Sequence, residues 1–84
     1  MTTSTAPQPV NPIAKAWGDE VLYRRTKLLG LTQSQLAELV DVHQTIISKI
    51  EQGRIVPSPR VQRRLIDVCR MDDRTVVRLV RGAA

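Results

Sequence analysis

Apolar residues in this chain recur at spacings of three and four, in short runs cut by glycine, proline and capping residues, and no run keeps a period of two. A strand needs alternate side chains on one face, so the pattern points to short helices instead. Asn11-Pro12 starts the first, with Ile13, Trp17, Val21, Leu22, Leu28 and Leu29 as its apolar set and Gly30 as its stop; Gly18 is expected to break it into two pieces. Thr32 and Gln35 form a capping-box pair ahead of a second helix, Gln33 to Val40, with Leu36, Ala37 and Val40 on one stripe. A third spans about Gln44 to Gln52 and stops at Gly53. Ser58-Pro59 opens a fourth carrying Val61, Leu65, Ile66, Val68 and Cys69, and Asp72-Asp73 opens a fifth carrying Val76, Val77, Leu79 and Val80. The expected fold is therefore all-α with five helices over residues 12–84. Residues 1–11, rich in Thr, Ser and Pro, read as a disordered tail.

A domain of 84 residues buries only about 60% of its unfolded surface. With one cysteine, Cys69, and one histidine, His43, neither an internal disulfide nor a Cys/His zinc site can be built. Packing alone must hold the fold, and no metal or cofactor is expected. No catalytic Ser/His/Asp set suggests itself and no glycine-rich phosphate loop is present, so no enzymatic activity is expected. No apolar stretch reaches the ~18 residues of a membrane span, and Thr, Ser, Gln and Pro near Met1 do not make a secretory signal; a cytoplasmic protein without a membrane partner is expected.

The net charge is +5, and its distribution is uneven. Residues 1–53 hold five Lys/Arg against five acids, whereas residues 54–84 hold eight Arg against three acids. A polyanionic partner fits that bias. Only Trp17 and Tyr23 are aromatic, which argues against base stacking on single strands. Arginine outnumbers lysine ten to three, a composition that suits a high-GC bacterial or phage genome.

The two short helices between Thr32 and Gln52 are joined by a tight turn, Asp41-Val42-His43, the layout of a helix-turn-helix. The string Gly30-Leu31-Thr32-Gln33, then Leu36-Ala37, Val42, Ile47-Ser48, Ile50-Glu51 and Gly53, then Pro57-Ser58, closely resembles the lambda-repressor-like (Cro/repressor, XRE) helix-turn-helix family over Gly30 to about Val80. The resemblance implies double-stranded DNA as partner, with the helix from Gln44 to Gln52 in the major groove. The residues agree on their own terms: Leu36, Ala37, Val42, Ile47 and Ile50 are expected inward. The opposite face of the third helix then shows Gln44, Thr45, Ser48, Lys49 and Gln52, amides, hydroxyls and a cation without an acid.

Base contacts are assigned to Gln44, Thr45, Ile46, Ser48 and Lys49, with Gln44 suited to adenine N7/N6. Ile46 has two readings, a thymine-methyl contact or a place in the core. Phosphate contacts are assigned to Gln33, His43, Gln52, Arg54, Arg60 and Arg64; the resemblance implies that Gln33 bonds a phosphate and also buttresses Gln44, its alternative being a solvated helix start, and His43 is alternatively a helix cap. Arg60, Arg63 and Arg64 form a ridge on the fourth helix that either flanks the groove or is merely solvated. Departures from the family pattern are Arg25 and Gln62 at apolar positions and Pro59 in place of an aliphatic. Arg25 is expected to reach solvent through its stem, with Leu28 or Val61 filling the gap.

The simplest function is a Cro-like repressor occupying a pseudo-palindromic operator, bound as a homodimer because one reading helix covers few base pairs. Val76, Val77, Leu79 and Val80 are assigned to the dimer interface, or alternatively to a cap on the monomer core. The rivals are an antitoxin or adaptor that mainly binds a protein partner and a nonspecific nucleic-acid binder working through arginines.

Overall fold

The computed structural model describes residues 11–82; the tail proposed for residues 1–11 lies outside them except for Asn11, which is a helix cap. Among the described residues the chain is entirely helical and loop: α1 (Pro12–Tyr23), a π-helical continuation (Arg24–Leu29), α2 (Gln33–Val40), α3 (Gln44–Glu51), α4 (Pro59–Cys69) and α5 (Asp73–Arg81). This is the all-α, five-helix arrangement read from the sequence. No described helix is long and apolar enough to cross a membrane.

Each helix starts where side-chain chemistry satisfies its orphan amides. The Asn11 carboxamide oxygen accepts from Ile13 N at 2.9 Å and Ala14 N at 3.2 Å, and Pro12 occupies the first position, where no amide is needed. Thr32 and Gln35 make both arms of the capping box, at 3.0 and 2.9 Å. Ser58 and Asp72 cap α4 and α5 by accepting from Val61 N and Thr75 N.

Gly18 does not break the first helix, which runs unbroken past it; the change of geometry comes at Arg24 instead. The reason is packing: a Cβ on Gly18 would collide with the Ile50 carbonyl and stand 3.0 Å from that of Glu51, so the glycine is where the end of α3 lies against α1. The widened π turn coincides with the Thr26 hydroxyl donating to the Leu22 carbonyl at 2.7 Å, a competitor to the ordinary helical ladder. It ends at Gly30, whose φ of 63° is left-handed.

One core joins all five helices: Trp17 and Val21 from α1, Leu36 and Val40 from α2, Ile47 and Ile50 from α3, Leu65 from α4 and Leu79 from α5 are each fully buried. Leu22 and Leu28, counted above with the apolar stripe of the first helix, are instead exposed, and Val61, not Leu28, packs into the core. Leu79 belongs to this core and Val76 is half-buried against it; of the four residues assigned to a dimer interface, Val77 and Val80 are the exposed ones.

The first and last helices are tied by charge. Glu20 accepts from Arg24 Nε at 2.5 Å and from Arg78 Nη2 at 2.6 Å. Arg24 also donates to the Cys69 and Arg70 carbonyls, which end α4 and lack helical partners. Burial pushes the Glu20 carboxyl up, but the hydrogen bonds from Arg78 and Arg24 outweigh it and hold the carboxyl below its ordinary value of 4.5. A depressed carboxylate stabilises the fold above its unfolded pKa, and that contribution is lost as pH falls through the folded value. The melting temperature is therefore expected to fall as pH drops below about 4, and Glu20→Gln to flatten part of that fall. Asp72, held low by Thr75, accounts for a remainder. An unchanged pH profile in Glu20→Gln would contradict the assignment.

Candidate nucleic-acid interface

The connection between α2 and α3 is short because Asp41 adopts a left-handed conformation, φ 62°, which aspartate tolerates better than most residues. Val42 N then bonds back to the Ala37 carbonyl at 3.0 Å, closing the end of α2. His43 begins α3 as its cap, with Nδ1 accepting from Thr45 N at 3.2 Å and lying 2.8 Å from the Thr45 hydroxyl. The cap reading of His43 is the one the contacts express.

Burial then divides α3 cleanly. Ile47 and Ile50 have no exposed surface, whereas Gln44, Thr45, Lys49 and Gln52 are exposed and Ser48 is half-buried beside them. Ile46 is half-buried, packing one side against the core and leaving the other exposed, so both of its readings stand. Val42, expected inward, is half-buried at the core's edge. Gln52 Nε2 donates to the Ser48 hydroxyl at 3.0 Å, and Arg54 reaches the Gln52 amide oxygen at 3.5 Å. Lys49 and Arg54 have no acidic partner among the described residues, so their charge is available to an outside anion.

Arg60 lies at the start of α4 and pairs with Asp41 at 3.1 Å, both side chains being exposed. The pair places the first turn of α4 beside the turn that leads into α3. An exposed pair of this kind holds its partners weakly and yields readily to a phosphate. Arg63 and Arg64 continue along α4 and, with Arg60 and Asp67, line an open surface depression.

Beneath the polar face runs a set of contacts that the sequence reading missed in part. Arg25 does not reach solvent. Its side chain is 12% exposed and forks onto Glu51, itself 5% exposed, with Nε to Oε2 at 2.6 Å and Nη2 to Oε1 at 2.9 Å; Nη1 donates to the Leu31 carbonyl at 2.8 Å. The hydrogen bonds that Arg25 donates to Glu51 hold its guanidinium above its ordinary range. Glu51 Oε1 also accepts from Gln33 Nε2 at 3.0 Å, and Gln33 Oε1 in turn accepts from Gln44 Nε2 at 2.9 Å. Gln33 thus buttresses Gln44, as one of its readings held. An arginine at an apolar position was itself a signal, because a buried charge requires a partner. Gln62, the other polar intruder, is half-buried and donates to the Pro57 carbonyl at 2.8 Å.

Cys69 is buried, and burial pushes its thiol up to about 11, so it packs and does not react. No group of His, Cys, Asp or Glu that could hold a metal ion occurs among the described residues.

Two short helices at a tight turn, the second with an apolar side in the core and a polar, acid-free side outward, define a helix-turn-helix, a class of DNA-binding domain. The family model for a helix-turn-helix domain matches residues 20–79, and the chain belongs to that family. Comparisons with curated proteins and with solved structures gave no match.

Proposed function

We propose that the protein is a sequence-specific double-stranded DNA-binding transcriptional regulator, a Cro-like repressor that acts in the cytoplasm by covering a pseudo-palindromic operator and excluding RNA polymerase. It catalyses no reaction and uses no cofactor. The observation that carries this reading is the outward polar face of α3, where Gln44 and Thr45 beside the turn, Lys49 further along and Gln52 at the C-cap are exposed. A helix about 10–12 Å across fits a B-form major groove about 12 Å wide, and its first residues meet base edges. Gln44 and Thr45 read bases there, with Ser48 and Lys49 one turn on; Gln52, Arg54 and Arg60 hold the phosphates on either side.

Two copies on half-sites about one helical turn apart supply the affinity that a single helix lacks. Val77 and Val80, 49% and 57% exposed and three residues apart on α5, are the apolar residues offered to the second copy.

The test begins with a pool of randomised duplexes enriched on the full chain, followed by titration of the enriched and scrambled duplexes at two salt concentrations. The enriched duplex should bind at least ~10³-fold tighter than the scrambled one. Gln44→Ala is expected to cost about 1–3 kcal/mol on the enriched duplex alone, by losing discrimination at one base pair. Arg54→Ala should weaken both duplexes alike and lower the salt slope by about one. Equal losses on both duplexes for both variants would refute the division of roles.

A further inference from the structure

We infer that Asp41 is an internal competitor of DNA: its carboxylate occupies the Arg60 guanidinium in the free protein, and a backbone phosphate must displace it before the start of α4 can grip the duplex. The inference rests on the phosphate role given to Arg60 above and adds what holds that residue when no duplex is bound.

Asp41 does little for the fold at its position. It is the C-cap of α2 with a φ of 62°, a left-handed conformation that glycine would adopt without strain. Its negative charge stands at the helix end where unpaired carbonyls already concentrate negative potential. Among the described residues the carboxylate accepts one hydrogen bond, from Arg60 Nη2 at 3.1 Å. Both side chains are well exposed, Arg60 at 60% and Asp41 at 73%, so the pair adds little stability. An acid in the turn that leads into α3 is also unfavourable for a polyanionic partner. A residue that favours neither the fold nor the approach of DNA acts through what it touches, and it touches Arg60. Of the three cations given to the duplex above, Lys49 and Arg54 have no acidic partner among the described residues, whereas Arg60 is already neutralised.

A carboxylate and a phosphate offer the same charged oxygen acceptors to a guanidinium fork, so one contact excludes the other. Displacement lowers affinity for every duplex alike and carries no sequence information. It also flattens the response to salt, because added ions loosen the internal pair as well as the contact that replaces it.

Affinities for the enriched and the scrambled duplex are measured by fluorescence anisotropy on the full chain, at low and at moderate salt, for wild type, Asp41→Asn, Arg60→Ala and the double variant. Asparagine tolerates the left-handed backbone as aspartate does, so Asp41→Asn should melt within a few degrees of wild type. It should tighten both duplexes alike, by about threefold or more at low salt, and steepen the salt slope by up to about one. Beside Arg60→Ala, the same substitution should lose at least about half of that gain, because the competitor then has nothing to occupy. Asp41→Gly, which also relieves the backbone, should repeat the gain. An Asp41→Asn protein that binds no tighter overturns the proposal. So does a gain that survives undiminished beside Arg60→Ala, since the acid would then act by plain repulsion of the duplex, and so does a gain confined to the enriched duplex. If Arg60→Ala weakens neither wild type nor Asp41→Asn, the phosphate role of Arg60 fails first and this inference falls with it, while the roles of Gln44 and Arg54 are decided by their own substitutions.

Discussion

Arg25→Ala is expected to lower the stability of the fold by about 3–5 kcal/mol, a large share of the ~5–15 kcal/mol available to a natural domain. The substitution removes the fork that holds Glu51 and the donor that satisfies the Leu31 carbonyl. What remains is a carboxylate, 5% exposed, whose only other partner among the described residues is the Gln33 amide. The energy lost is mainly the penalty of an uncompensated buried charge, and much less the net worth of the pair. For a domain of this length each kcal/mol moves the melting temperature by about 4–8 °C, so a fall of roughly 15–30 °C is expected in a thermal melt followed by circular dichroism. The double variant Arg25→Met/Glu51→Leu, which removes both charges and keeps the volume, should recover most of it. A melt of Arg25→Ala within a few degrees of wild type would show that Glu51 is hydrated and that the pair does not anchor the fold.

That pair also marks the boundary of what the sequence disclosed. The limits of α2, the start of α3 and the caps at Asn11, Thr32, Ser58 and Asp72 are written in local chemistry, where an oxygen two or three residues from an orphan amide closes the helix start. The outward set on α3 followed from periodicity alone. Leu28 and Arg25 were misplaced, and Leu79 was left between a dimer interface and the core, because their surroundings are set by contacts between distant segments. Leu28 lies within the π-helical segment, whose wider turn shifts the phase of the helix and carries it outward, to 56% exposure. Leu79 reads as one of four similar apolar residues on the last helix, and only its packing into the shared core separates it from Val77 and Val80. Arg25 and Glu51 lie 26 positions apart, and each alone looks like a surface residue. Arg25 at an apolar position of the motif was visible, but the contacts that run from the pair to Gln44 needed the fold to bring four side chains into line.

Gly18→Ala is expected to destabilise the protein, against the usual direction for a glycine inside a helix. Alanine ordinarily gains up to ~1 kcal/mol there by restricting the unfolded chain and favouring the helix. Here the added methyl meets the carbonyl of Ile50 and comes within 3.0 Å of that of Glu51, both backbone atoms that cannot rotate aside. Overpacking of this kind costs about 1–3 kcal/mol or more, and a clash with backbone belongs at the upper end, so a net loss of about 2 kcal/mol and a fall of roughly 10 °C in melting temperature are expected. Relief of the clash can come only by moving α3 away from α1, which displaces the helix that carries Gln44 and Lys49 and strains the Glu51 end of the contacts that lead to Gln44. Binding to the enriched duplex should therefore weaken even at a temperature where Gly18→Ala remains folded. Gly30→Ala is the control: its Cβ meets nothing within 4 Å and only its left-handed backbone objects, so about 1 kcal/mol of stability should be lost while duplex discrimination at the Gln44 position stays unchanged. A Gly18→Ala protein as stable as wild type, with full duplex affinity, would show that α3 does not depend on this close approach for its place.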